Sequence, residues 1–147
     1  MALAEILFEK RWKQKPVFVP ADHEFLREIR GNTAAVVIGD RALEQRKKST
    51  YFYDLGEEWK NMTGLPFVFA AWISNKVLDA GWIHRFEDAN TFGIQNISLV
   101  LEELTVNDFD LHSYFTQYLS YDLNEKKKKG MELFLGMLKE KTLIPGR

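Results

Sequence analysis

The pattern of apolar and polar positions divides the chain into two parts with different predicted structures. In the first part, short continuous apolar runs alternate with amphipathic segments. The runs are Val17–Val19, Ala34–Asp40 (apolar up to its final Gly-Asp) and Phe67–Ile73. Continuous apolar runs of this length are typical of strands that are buried on both faces of a parallel sheet. The first part is therefore predicted to be α/β.

Amphipathic segments separate the predicted strands. Apolar residues at helical spacing predict one helix over Leu3–Trp12 and another over Asp54–Thr63. Asp54 would cap the second helix in a capping-box pattern with Glu57, and Gly64 would end it. A short helix is also predicted over Asp22–Arg30, and a short helix or a loop over Arg41–Thr50.

After residue 73 the spacing is helical only. One long pattern begins after Asp79 and could be divided at Gly93. A second pattern follows Asn107–Asp108, and Asn124 would cap the last helix. Such helices need a surface to pack on. Apolar faces left uncovered would favour a dimer, a domain-swapped assembly or aggregation.

Composition narrows the possible classes of protein. The 147 residues suit one domain, or one lobe with part of another. A net charge of -1 gives no signal for nucleic-acid binding, and no apolar run reaches the roughly 20 residues that span a bilayer. The N-terminal segment does not have the pattern of a signal peptide, so a cytoplasmic protein is expected. There is no cysteine, and the three histidines fall in different predicted helices, so no metal site is predicted.

Two segments together carry a family signature. VVIGDRAL (Val36–Leu43) precedes YDLGEEWKNMTGLPFVFAAW (Tyr53–Trp72), and their order and spacing resemble the menaquinone biosynthesis family that includes chorismate dehydratase. The later stretch YLSYDLNEKKKKGMELFLGML is similar to the last two helices of that family.

The resemblance implies an α/β fold, part of a two-lobed architecture like that of type 2 periplasmic binding proteins. This fold has a mixed sheet with flanking helices and an all-helical C-terminal segment. Residues 1–65 would be an incomplete second lobe. Residues 66–147 would be a strand crossing between the lobes, followed by helices that pack on a first lobe outside this chain.

The resemblance also implies a function, namely a carbon–oxygen lyase of the futalosine route to menaquinone. It would remove water from chorismate to give 3-[(1-carboxyvinyl)oxy]benzoate, without a metal or organic cofactor. Because a cleft between two lobes cannot be built from one lobe and a part, this chain alone is expected to be inactive. It would need a separately encoded first lobe or act as a homo-oligomer. The alternative is a non-catalytic module of the same fold that binds small anions or solutes.

Candidate site residues come from the matched motifs. Asp40 is the candidate catalytic residue, and the residues predicted to bind substrate are Gly39, Asp40, Tyr53, Thr63 and Gly64. Structural alternatives exist for three of them: Asp40 could cap the helix that follows it, and Thr63-Gly64 could be an ordinary helix-stop turn rather than a hinge. Gly39 would allow a close approach of the backbone.

Overall fold

The computed structural model describes residues 1–21, 24–102 and 110–142. Every regular element within these ranges is helical. The elements are α1 (Ala2–Lys10), a 3₁₀ turn (Phe25–Glu28), α2 (Asp40–Lys48), α3 (Leu55–Thr63), α4 (Ala80–Gln95), α5 (Ile97–Glu102), α6 (Leu111–Ser113), a π-helical turn (Tyr114–Tyr118) and α7 (Glu125–Thr142). None of the described helices is both long and apolar enough to cross a membrane.

The predicted sheet is wrong for the residues that the structure describes. Val17–Val19, Ala34–Ile38 and Phe67–Ile73 have no regular secondary structure, and no backbone hydrogen bond joins one of them to another. The prediction that these segments are buried on both faces is also wrong, because Ile38 is 81% exposed and Trp72 is 82% exposed. The α/β class with a two-lobed, periplasmic-binding-protein-like sheet is therefore replaced by helices joined through irregular segments.

This error has a physical reason: an apolar run indicates only that its residues prefer to be buried. A strand forms only when a neighbouring strand supplies the partners for its backbone N–H and C=O groups. No such neighbour pairs with these runs in the described part of the chain.

The helix around Trp59 was predicted closely. Asp54 Oδ1 accepts hydrogen bonds from the backbone N–H groups of Gly56 and Glu57, at 2.8 Å and 3.1 Å. At the other end, Gly64 has the left-handed φ of 72° and donates its N–H to the Lys60 carbonyl at 2.8 Å. The predicted cap and the predicted stop are both confirmed.

The other early helices differ more from prediction. α1 begins at Ala2 and ends at Lys10, slightly before the predicted end at Trp12. The helix predicted over Asp22–Arg30 is reduced to the 3₁₀ turn, in which no residue is buried; Asp22 and His23 lie outside the described residues. Short helices depend on packing for their stability, and no residue of this turn is fully buried.

The chain divides into two compact units. The first comprises Met1–Phe69 and the segment from Asn124 onward. Its core is formed by Leu3, Ile6 and Leu7 of α1 and by Trp59 of α3, all buried. Phe67 and Phe134 pack edge-to-face against Trp59, with ring centroids at 5.5 Å and 5.9 Å. Helices α1, α3 and α7 are thus held together by an aromatic and aliphatic core.

Ion pairs lie around this core. The Lys141 ammonium lies 3.0 Å from Glu5 Oε2, which links α7 to α1. Arg11 Nε donates to Glu58 Oε2 at 3.0 Å, which links the end of α1 to α3. This hydrogen bond holds the pKa of Glu58 below its usual value. Because both pairs are accessible to water, the core dominates the stability of this unit.

Helix α7 passes very close to the backbone at Pro66. A Cβ added to the buried Gly130 would clash with the Pro66 carbonyl oxygen, whereas one added to Gly136 would meet nothing within 4 Å. We expect Gly130→Ala to destabilise the first unit by about 1–2 kcal/mol, because overpacking outweighs the better helix propensity of alanine.

The matched control is Gly136→Ala on the same helix. It should stabilise the protein by about 0.5–1 kcal/mol, through helix propensity alone. Urea unfolding followed by circular dichroism measures both changes. Equal effects of the two substitutions would contradict the close approach at Gly130.

The second unit comprises Ala70–Leu123. Asp79 caps α4 by accepting the N–H of Trp82 at 2.9 Å. The helix continues through Gly93 and ends at Asn96, so the predicted division at Gly93 is displaced. At this end the Asn96 side chain donates to the Phe92 carbonyl at 2.8 Å, and the Asn96 backbone N–H donates to the same carbonyl at 3.1 Å.

The remaining helix starts are set by side-chain caps. Asp110 Oδ1 accepts the N–H of Ser113 at 2.9 Å at the start of α6; the predicted start at Asn107–Asp108 lies outside the described residues. Asn124 Oδ1 accepts the N–H of Lys127 at 3.1 Å, which confirms the predicted cap of the last helix. None of the described residues of the second unit is buried, although Trp82 and Phe86 stack at 5.1 Å.

Candidate functional site

An apolar cavity of ≈ 310 Å³ lies within the first unit. Its lining comes from the start of α1, from α3 and α7, and from two irregular segments. The lining residues are Met1, Ala2, Leu3, Ala4, Val36, Ile38, Leu55, Phe67, Val68, Phe69 and Phe134. No lining side chain carries a charge, so the side chains of the cavity suit the uncharged ring of a ligand.

Three motifs of the two matched segments meet at this cavity: the run ending in IGD (Val36–Asp40), YDLGEEW (Tyr53–Trp59) and TGLPFVFA (Thr63–Ala70). Val36 and Ile38 belong to the IGD segment, Leu55 to the YDLGEEW segment and Phe67–Phe69 to the TGLPFVFA segment. The cavity brings them together although they are far apart in sequence. Residues from all three motifs therefore line the same cavity.

Gly39 and Asp40 lie directly beside the cavity wall. Asp40 follows the lining residue Ile38 by two positions, so their Cα atoms are within about 7.6 Å of one another. Gly39 has φ 68° and ψ -155°, in a region of backbone space that is essentially restricted to glycine. Any side chain here would strain the turn that leads into α2.

Asp40 is the first residue of α2 and is exposed. The N-cap position is Gly39, which offers no side chain to bond the first N–H groups of the helix. Among the described residues, no hydrogen bond to the Asp40 carboxylate supports the capping alternative. A negative charge in the first turn is still favourable for the helix dipole.

Tyr53 is near the cavity but not in its lining. It precedes the lining residue Leu55 by two positions and is 67% exposed. Its ring packs edge-on against Trp12, with centroids 5.5 Å apart. The hydroxyl is therefore accessible, and its role in substrate binding stays a prediction.

Thr63 and Gly64 form the helix stop. The Thr63 hydroxyl donates to the Trp59 carbonyl at 2.8 Å and accepts the N–H of Leu65 at 3.1 Å. With its proton already donated, this hydroxyl has only acceptor capacity left for a ligand. The geometry is that of the stop-turn alternative, and the predicted substrate contacts and hinge remain untested.

Comparison with known proteins decides the family. A family model described as menaquinone biosynthesis matches residues 1–140. The chain belongs to the menaquinone biosynthesis family. The resemblance carried by the IGD, YDLGEEW and TGLPFVFA motifs is confirmed, and with it a role in menaquinone biosynthesis. No solved structure matches the chain.

Some cavity residues of this menaquinone biosynthesis protein were missed from sequence. Phe134 lies on α7, and helical spacing in the sequence does not reveal which surface a helix covers. Phe69 lies against the backbone of Gly56, where an added Cβ would meet its ring at 2.9 Å. The YDLGEEW glycine thus makes room for the TGLPFVFA phenylalanine.

The histidines show no metal-binding arrangement where the structure describes them. His84 Nδ1 lies 3.5 Å from Asp88 Oδ1, and His112 Nε2 lies 3.4 Å from Ser98 Oγ. No group of three or more possible metal ligands occurs in the described part of the chain, and His23 is outside it. That the protein needs no metal or cofactor remains a prediction.

Proposed function

We propose that this chain acts in menaquinone biosynthesis as part of a carbon–oxygen lyase that dehydrates chorismate. A base takes one ring C–H proton, and the electron pair of that C–H bond completes the aromatic ring. The bond between the ring and its hydroxyl oxygen breaks, while the ether bond to the carboxyvinyl group stays. The hydroxyl group leaves with a proton as water, and the product is 3-[(1-carboxyvinyl)oxy]benzoate. The reaction needs no net oxidant or reductant.

The observation that carries the proposal is the meeting of the three family motifs at one cavity beside Asp40. Its apolar and aromatic lining suits the face of a six-membered ring. The lining residues Ile38 and Phe69 are 81% and 71% exposed, so a bound ring would cover them and displace water from this apolar surface.

Asp40 is the proposed base. A carboxylate within reach of a ring proton can accept it in the transition state. The N-terminus of α2 supplies the complementary feature, because the first N–H groups of a helix lack partners within it and the N-cap Gly39 has no side chain to bond them. Backbone N–H groups at a helix N-terminus bind carboxylates well, so one substrate carboxylate would lie there.

A second polypeptide would complete the site. Chorismate carries two carboxylates, and the described cavity lining contains no cationic side chain to receive the other one. We propose that a second polypeptide provides these donors. The isolated chain would then bind chorismate without turning it over.

Calorimetry and product analysis test this function together. We expect chorismate to bind the isolated chain at least about tenfold more tightly than phosphate or a neutral amino acid, because only chorismate fills the ring cavity as well as the anion position. Chromatography should detect no 3-[(1-carboxyvinyl)oxy]benzoate from the chain alone.

Two results would contradict the proposal. Equal affinity for chorismate and for simple anions would indicate a non-catalytic anion-binding module. Product formation by the isolated chain at the rate of a complete family enzyme would show that no second polypeptide is needed.

A further inference from the structure

Three phenylalanine rings form an edge-to-face array in the wall of the cavity. The Phe67 ring packs at 70° against Phe69, with centroids 4.8 Å apart, and at 82° against Phe134, with centroids 4.9 Å apart. All three residues line the cavity. Aromatic rings attract one another in this arrangement, because the electron-poor edge of one ring meets the electron-rich face of the next. A ring that enters the cavity can therefore extend the array.

Phe69 is the member of this array that is most open to a ligand. It is 71% exposed although it lines the cavity, whereas Phe67 and Phe134 are half-buried. Those two rings also pack edge-on against the buried Trp59, which takes up part of their surface. Phe69 therefore offers the largest uncovered ring surface of the three.

Gly56 determines where the Phe69 ring can lie. A Cβ added to Gly56 would lie 2.9 Å from Phe69 Cζ and 3.1 Å from Cε2, closer than non-bonded carbon atoms approach without repulsion. The glycine thus lets the ring rest against the first turn of α3. Gly56 is not among the lining residues, so a methyl group there would act on a ligand by displacing the Phe69 ring.

We propose that Phe69 is the specificity-determining residue of the cavity and that Gly56 is its positioning residue. Phe69 selects a flat, unsaturated ring over a saturated ring of the same size, because only the unsaturated ring has the π-electrons that an edge-to-face contact requires. This role rests on the proposed function only in taking a ring that carries a carboxylate as the ligand. The proposed dehydration makes the ring aromatic, so the contact with Phe69 would strengthen along the reaction.

Benzoate and cyclohexanecarboxylate test this selection, because they carry the same charge and rings of six carbon atoms. Ligand-observed NMR titration of the unmodified protein measures both dissociation constants. We expect benzoate to bind about two- to tenfold more tightly, which is the usual strength of an aromatic pair beyond the area that it buries.

Replacement of Phe69 tests whether this ring causes the preference. Phe69→Leu keeps an apolar side chain but removes the ring, and should lower the ratio of the two affinities at least about twofold. Phe52→Leu is the matched control, because Phe52 is 52% exposed on the same unit and does not line the cavity. It should leave the ratio unchanged.

Gly56→Ala tests the positioning role. It should lower the ratio as Phe69→Leu does, and the double variant should lower it no further than Phe69→Leu alone, because no ring is left to displace. Gly136→Ala is the matched control, since a Cβ there meets nothing within 4 Å. It should leave the ratio unchanged.

The unfolding midpoint in urea separates positioning from folding. The midpoint of Gly56→Ala should not fall, because the exposed Phe69 ring can turn into solvent and alanine favours the helix. An unchanged midpoint would also show that the cap is kept, since the same Cβ would lie 3.2 Å from Asp54 Oδ1. A changed ring preference at unchanged stability is a result that a purely structural glycine would not give.

Three outcomes would overturn the proposal. Equal affinity for the two probes, or no binding of benzoate to the unmodified protein, would show that the cavity does not select an unsaturated ring. An unchanged ratio in Phe69→Leu would exclude Phe69 as the cause. Additive losses in the double variant would show that Gly56 does not act through Phe69. In contrast, a protein that prefers benzoate through Phe69 but does not bind chorismate would contradict the proposed dehydration and leave the role of Phe69 standing.

Discussion

Replacing Trp59 by alanine is expected to remove most of the stability of the first unit. Trp59 is fully buried, and among the described residues it is the only large side chain outside α1 that is. It contacts the apolar face of α1 and the rings of Phe67 and Phe134. Truncating a buried tryptophan costs about 3–5 kcal/mol, which is a large part of the 5–15 kcal/mol that holds a typical domain folded.

Two further variants test whether burial of the Trp59 side chain, rather than the loss of any tryptophan, causes the expected loss of stability. Trp72→Ala removes the same side chain from a position that is 82% exposed, and should change the unfolding free energy by less than about 0.5 kcal/mol. Trp59→Phe should cost less than half as much as Trp59→Ala. Trp59 Nε1 is buried without a hydrogen-bond partner among the described atoms. A buried unsatisfied donor costs about 1–3 kcal/mol, and phenylalanine removes this cost.

Urea unfolding at low protein concentration, followed by far-ultraviolet circular dichroism, measures all three variants. Circular dichroism is preferred because each substitution removes a fluorescent residue. Similar losses from Trp59→Ala and Trp72→Ala would contradict the core described above.

The sequence predicted well those features whose cause is local. The cap at Asp54 and the stop at Gly64 depend on residues within one turn of the helix end, so their signals are complete in a short stretch. The cap at Asn124 is of the same kind. The break lies at Asn96 rather than at Gly93, because the backbone freedom of a glycine does not by itself end a helix.

The strands could not be predicted in the same way. A run such as Ala34–Ile38 has every local property of a strand, including the alternation of exposure that the structure shows. Whether it belongs to a sheet depends on a second segment, and the run itself contains no information about that segment. The same limit explains why Phe134 was missed as a cavity residue: its helix was predicted, but not the surface that the helix covers.

The candidate site was found through the motif order rather than through chemistry. Gly39 and Asp40 stand out in the sequence only as the end of an apolar run. The structure adds a glycine-specific backbone conformation and a cavity two residues away. Strained or restricted backbone is often found at functional sites, which makes this turn a better candidate than composition alone made it.

Asp40→Asn is expected to abolish turnover while leaving substrate binding intact. Loss of a catalytic base lowers kcat by about 10²–10⁴-fold. KM should stay the same or fall, because asparagine removes a negative charge beside a dianionic substrate. The assay measures 3-[(1-carboxyvinyl)oxy]benzoate formed by the chain together with the second polypeptide proposed above.

The control for Asp40→Asn is Glu44→Gln, which makes the same change of charge on the next turn of α2. Glu44 is exposed, and both substitutions should alter the stability of the helix by less than about 1 kcal/mol. A loss of kcat in Asp40→Asn alone would therefore reflect chemistry rather than folding. If Asp40→Asn keeps its kcat, or loses it only together with stability, Asp40 serves the N-terminus of α2 and the base lies elsewhere.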